Sequence, residues 1–161
     1  MQKPFLLILA LAFVLPILSC MANPVSENNS ALPWSDESKC SKQDAIASSH
    51  ALDNLKTWDS IYSWFNTFKH CDYHSGEVAE GLADIITRLL ADDWSHFSQF
   101  ERLAKQDTTF RAFALSYIDS TADTGDLKAV ANNAQKHCPA ESSTLCKAIE
   151  ERAIQAEKDA Q

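Results

Sequence analysis

His70, Cys71, Asp72 and His74 form the tightest local cluster of side chains able to ligate a metal. A structural zinc site takes four such donors, usually delivered as two spaced pairs, so His137 and Cys138 would have to join them. The segments Phe68-Lys-His-Cys-Asp72 and Gln135-Lys-His-Cys-Pro139 echo each other, each closing a helix with a basic pair and a cysteine. A cation at that position suits the helix dipole without any metal. In an oxidising compartment the simpler reading is a disulfide flanked by helix-terminal histidines, so neither metal nor cofactor is expected. Glu77, Glu80 and Asp84 supply a second constellation, carboxylates at i, i+3 and i+7 along one helical strip. Paired carboxylates can hydrolyse glycosides, but only where an apolar pocket raises one pKa. Nothing near these three suggests such a pocket. They read either as a solvated helix start or as a ridge for a cationic partner. The chain contains no G-x-S-x-G elbow, no H-E-x-x-H and no Gly-rich phosphate loop, having only three glycines.

The cysteines take their meaning from the first 22 residues. Lys3 precedes an apolar run from Phe5 to Leu18, with small residues at Ser19 and Ala22. That order is an export signal, too short to span a bilayer with margin. Cleavage after Ala22 would release a soluble protein. Alternatively, Ile17-Leu18-Ser19-Cys20 is a lipobox and Cys20 carries an acyl anchor. Either way Cys40, Cys71, Cys138 and Cys146 remain, and four cysteines permit three pairings. Cys138 and Cys146 flank a turn-like segment and make the easiest pair, leaving Cys40 for Cys71. Free buried thiols are the competing reading.

Removing residues 1–22 takes away one lysine and no acid, so the formal charge of −8 becomes −9. Such a chain repels nucleic acid and anionic lipid and favours basic or neutral partners. Residues 23–40 are polar, carry Pro24 and Pro33 without periodicity, and read as a disordered leader or tether. Asn28-Asn29-Ser30 matches a glycosylation sequon that matters only in a eukaryote. Trp34 stands in this leader as an isolated aromatic.

From residue 41 to 157 the pattern predicts a single all-α domain of six or seven short helices, before a frayed tail at 158–161. Ser41 caps the first, with Ile46, Ala47, Ala51, Leu52 and Leu55 inward; Thr57 caps the second, with Trp58, Ile61, Phe65 and Phe68. Gly76 opens a third, to about Trp94, whose stripe is Val78, Leu82, Ile85, Ile86, Leu89 and Leu90, with Thr87 and Arg88 off it. Phe97, Phe100 and Leu103 mark a fourth. Asp107 caps a fifth carrying Phe110, Phe113, Ala114, Tyr117 and Ile118. Asp123 starts a sixth carrying Leu127, Val130, Ala131 and Ala134, and a last helix runs from about Ser143. Trp58, Trp64 and Trp94 belong to the core. Short links make neighbours antiparallel, giving a compact bundle or stacked helical hairpins braced by disulfides.

The export signal, the all-α domain and the late cysteine pair together resemble the Tai/Rap type of periplasmic immunity proteins of type VI secretion. The likeness is carried by Trp64-Phe-Asn-Thr-Phe-Lys-His-Cys-Asp72, by Gly76-Glu-Val-Ala-Glu-Gly-Leu-Ala-Asp84 through Trp94, by Tyr117-Ile-Asp-Ser-Thr-Ala-Asp-Thr-Gly-Asp-Leu127, and by the Cys138 to Cys146 closure. The resemblance implies a non-enzymatic protein that binds a cell-wall amidase delivered by a neighbouring bacterium and occludes its active site, commonly as a homodimer. No inhibitory residue of the family maps onto this chain. Glu77, Glu80, Asp84 and the turn bearing Asp119, Asp123 and Asp126 are the expected contact surface. A cell-envelope accessory lipoprotein and a small periplasmic hydrolase with an unrecognised site are the rival expectations.

Overall fold

Four helices begin where a short polar side chain closes the first turn. The computed structural model describes residues 35, 39–71, 73 and 76–161. The expected export signal, Cys20, most of the leader with the sequon and Trp34, and Asp72 and His74 lie outside them. Ser41 and Asp44 form a capping box on α1 (Lys42–Ala51), and Thr57 with Ser60 does the same for α2 (Trp58–Phe68). These reciprocal bonds satisfy main-chain N–H groups that the helix itself leaves unpaired. Asp107 caps α5 (Thr108–Ser116) and Asp123 caps α6 (Thr124–Lys136). Between them stand α3 (Glu77–Asp92) and α4 (Phe97–Gln106), and α7 (Ser143–Asp159) ends the chain. Gly76 enters α3 at φ +83° and ψ −173°, backbone that L side chains rarely adopt, so glycine is required there. The described residues are all-α, contain no strand, and include no helix long and apolar enough to cross a membrane.

The core has two parts. Aromatic rings from α2, α4 and α5 fill one: Trp58 stacks on Phe100 at 4.3 Å, and Phe65 meets Phe113 at 4.7 Å. Smaller side chains fill the other, with Leu82, Ile86 and Leu90 of α3 against Leu127, Val130 and Ala134 of α6 and Ile149 and Ala153 of α7. The most extensive pairing is α6 with α7, followed by α3 with α6. Each large side chain taken fully out of water contributes about 1.5–3 kcal/mol, and Phe65, Phe110, Ile86 and Leu127 are completely enclosed. Asn133 of α6 donates to the Leu90 and Ala91 carbonyls at 3.0 and 2.8 Å, closing the end of α3.

Both expected disulfides form. Cys40–Cys71, with Cα atoms 4.8 Å apart, ties the chain just ahead of the α1 cap to the segment just after α2. Cys138–Cys146, at 6.0 Å, closes the link between α6 and α7. Tyr117 Oη donates to the Tyr73 carbonyl at 3.1 Å and holds the segment after Cys71.

The structure departs from the helical reading in four places. Ile46 of α1 is 42% exposed, while Ser48 is wholly buried. The short side chain lets α1 lie close, and its hydroxyl is satisfied by the Ala45 carbonyl at 2.9 Å. Thr87 of α3 is also wholly buried, because the face that packs on the core is centred on Leu82, Ile86 and Leu90. Third, α3 ends at Asp92, and Trp94 stands in a separate tight turn, half-buried, stacked on Phe97 at 4.6 Å. Finally, α7 continues to Asp159, past the expected end at 157, supported by a Gln155–Asp159 hydrogen bond of 2.8 Å one turn apart.

Candidate functional site

Helix α3 is apolar over a wider arc than the core can cover. Leu82, Ile86 and Leu90 are buried, whereas Val78, Ile85 and Leu89 stay half-buried on the adjoining face. The segment after α1 passes over that face. A Cβ on Gly81 would stand 2.8 Å from Leu52 Cδ1, so glycine permits the close approach. Where Leu55 and Lys56 leave α3 again, a cleft of about 180 Å³ opens, with Ile85 and Leu89 as its apolar wall and Arg88, Asp92 and Asp93 beside them. A smaller hollow of about 70 Å³ shares Lys56, Leu89 and Asp93 and reaches Thr57, Trp58, His96 and Gln99. The buried Nε1 of Trp58 finds no acceptor among the described residues.

The cleft lining carries Lys56 and Arg88 as well as Asp92 and Asp93, and further acids lie electrostatically close to Arg88 and Asp92. Arg88 lies 3.5 Å from Asp84, and both act electrostatically on Asp126 at the start of α6. Burial pushes the Asp126 carboxyl above the usual carboxylate range, the nearby charges of Asp92, Asp123 and Asp84 push it further, and Arg88 partly offsets them. Of the six acids expected at the contact surface, Asp84, Asp123 and Asp126 are therefore brought together. Glu77 and Glu80 are exposed in the first turn of α3 and are not among the charges acting on Asp126. Asp119 accepts from the Thr121 amide at 2.8 Å and its hydroxyl at 2.6 Å, closing a local turn. Asp92 was missed by the sequence reading, although its position one turn beyond Arg88 and two beyond Asp84 is a legible signal.

A second cleft, of about 300 Å³, lies between α4, the start of α5 and the start of α7. Glu101, its side chain only 13% exposed, accepts from Lys105 at 2.6 Å and from the Ser142 hydroxyl. Lys105 first, then Ser142, hold the Glu101 carboxyl below its usual range. Through Ser142, Glu101 ties α4 to the turn that leads into α7.

At the other end of α1, His70 Nε2 lies 3.5 Å from Asp44 Oδ2, beside the Cys40–Cys71 bridge. Ser41, through its hydroxyl and then its amide, holds the Asp44 carboxyl below its usual range, with His70 adding to the effect. Asp44, His70 and Cys71 are the one group of three or more potential metal donors among the described residues. His137 is placed elsewhere, its carbonyl accepting from Trp94 Nε1 at 3.1 Å, and the two echoing helix ends form no common donor set among the described residues. No family model matches the chain, and neither a curated protein nor a solved structure does.

Proposed function

We propose that this chain is an exported, non-catalytic immunity protein that binds a secreted bacterial toxin, a type VI peptidoglycan amidase by class, and occludes it. The observation that carries the reading is the α3 groove: Ile85 and Leu89 stand half-buried beside acids contributed by two helices. An aliphatic wall supplies burial for a partner's anchor residue, while the acids gathered around Asp126, next to Arg88 and Asp92 of the cleft, steer a cationic loop or helix end toward it. The two disulfides suit an oxidising compartment, and the periplasm, with the protein free or held by a lipid on Cys20, is where such a toxin would act.

The test uses the purified chain and the product of the neighbouring open reading frame. Stoichiometric addition should form a complex and stop release of peptidoglycan fragments. A toxin that stays fully active with excess protein overturns the reading, and stable association with a resident envelope protein instead supports the accessory role.

A further inference from the structure

The capping box of α1 and the end of α2 converge on four groups of the kinds that zinc accepts. Cys40 lies just ahead of α1 and Asp44 in its first turn, while His70 and Cys71 lie just after α2. The donor atoms of Asp44, His70 and Cys71 all lie within 4.8 Å of one another, and Cys40 Sγ is bonded to Cys71 Sγ. In a tetrahedral site with ordinary zinc bond lengths the donors stand about 3.3–3.8 Å apart. Opening the sulfur bridge separates the two sulfurs toward that spacing, and a small inward movement of His70 and Asp44 completes it. The His70 and Asp44 side chains are 31% and 35% exposed, which leaves an entrance for an ion while Cys71 stays buried behind them.

We propose that Cys40, Asp44, His70 and Cys71 form a redox-gated zinc site, closed as a disulfide when oxidised and open to Zn²⁺ once a dithiol has reduced it. The dithiol delivers two electrons and two protons; the sulfur–sulfur bond breaks, Cys40 and Cys71 become thiols, and the reductant becomes a disulfide. Zinc then displaces both thiol protons to solvent and forms two zinc–sulfur bonds, with His70 nitrogen and an Asp44 oxygen as the remaining ligands. The metal thereby keeps α1 fastened to α2 when the covalent bridge is gone. This site is separate from the α3 groove and does not rest on the toxin-binding reading.

The experiment titrates Co²⁺ and then Zn²⁺ into the full chain carrying Cys20→Ser, Cys138→Ser and Cys146→Ser, reduced with a phosphine. One equivalent should bind, with the visible bands of tetrahedral cobalt and a thiolate-to-cobalt band, all displaced by zinc. The oxidised chain should bind none, and His70→Ala should weaken binding at least about 100-fold, the upper end of what losing even an outer-shell partner costs. Absence of the thiolate band, or unchanged affinity in His70→Ala, overturns the site. Should the triple variant lose its helicity, the reduced wild-type chain is compared with Cys40→Ser/Cys71→Ser. Loss of one metal equivalent then supports the site, and equal uptake overturns it.

Discussion

The indole Nε1 of Trp64 donates to the main-chain carbonyl of Ser48 at 3.1 Å inside the core. Ser48 lies in the last turn of α1, where carbonyls lose their helical partners, and the helix tightens there as the Leu52 amide turns to Ser49. Trp64 is therefore both a core ring and the cap that docks α1. Trp64→Phe removes the donor and leaves a buried carbonyl unpaired, which should cost about 2–3 kcal/mol. Trp94→Phe, whose bond to His137 is exposed, should cost less than about 1.5 kcal/mol. Urea unfolding of both variants checks the order, and equal losses would remove Trp64 from its capping role.

Thr87 presents the opposite case. It is wholly buried in α3, and its hydroxyl has no hydrogen-bond partner among the described residues. Thr87→Val keeps the shape and removes an unsatisfied polar group, so it should stabilise the fold by about 1 kcal/mol. A lower thermal midpoint for this variant would show that the hydroxyl is satisfied after all.

The two bridges differ in the length of chain they close. Cys40 and Cys71 are 31 residues apart, Cys138 and Cys146 only 8. Loop entropy puts the first at about 3.7 kcal/mol and the second at about 2.5 kcal/mol. Paired Cys→Ser variants should follow that order in equilibrium unfolding. A larger loss from the short bridge would point to native-state contacts as the dominant contribution.

In the α3 groove, Ile85→Arg should weaken toxin binding about 30-fold or more, equivalent to about 2 kcal/mol, while leaving helicity intact. Asp84→Asn with Asp92→Asn should act on the association rate and flatten its salt dependence, leaving dissociation nearly unchanged. Surface plasmon resonance at two ionic strengths separates these effects. Wild-type affinity in Ile85→Arg would place the interface elsewhere.

Asp126 and Glu101 should respond to pH with opposite signs. The folded-state pKa of Asp126 is raised above 3.8, so its ionised form opposes folding above that folded value, and acidification relieves the penalty. Asp126→Asn should therefore stabilise the protein by a few tenths of a kcal/mol at pH 7, a gain limited by its favourable place in the first turn of α6. The gain should vanish below about pH 3.8. Glu101 is depressed below 4.5, so it contributes stability above 4.5 that is lost as the pH falls through its lower folded value. Glu101→Gln should destabilise at pH 7 and approach wild type in acid. Thermal midpoints measured from pH 3 to 8 test both, and a destabilised Asp126→Asn at neutral pH would contradict the first.

Local signals made most of the architecture readable in advance. Ser41, Thr57, Asp107 and Asp123 each cap the helix they were expected to start, because a cap involves only residues two or three positions apart. The disulfide partners were legible because adjacency in the chain favours Cys138 with Cys146 and leaves Cys40 for Cys71. Ile46 and Thr87 were misassigned because periodicity reports which residues share a face and not which face is covered.

The amino-acid sequence by itself determined the all-α class and the capped helix starts, which follow from short-range spacing and capping chemistry, and it favoured one of three cysteine pairings that the structure then fixed. Only the tertiary structure decided that Asp84 and Asp92 of α3 meet Asp123 and Asp126 of α6, and that Asp44 stands against His70. Those meetings depend on how helices cross, which is set by the summed packing of many buried side chains and leaves no local signature in any one segment.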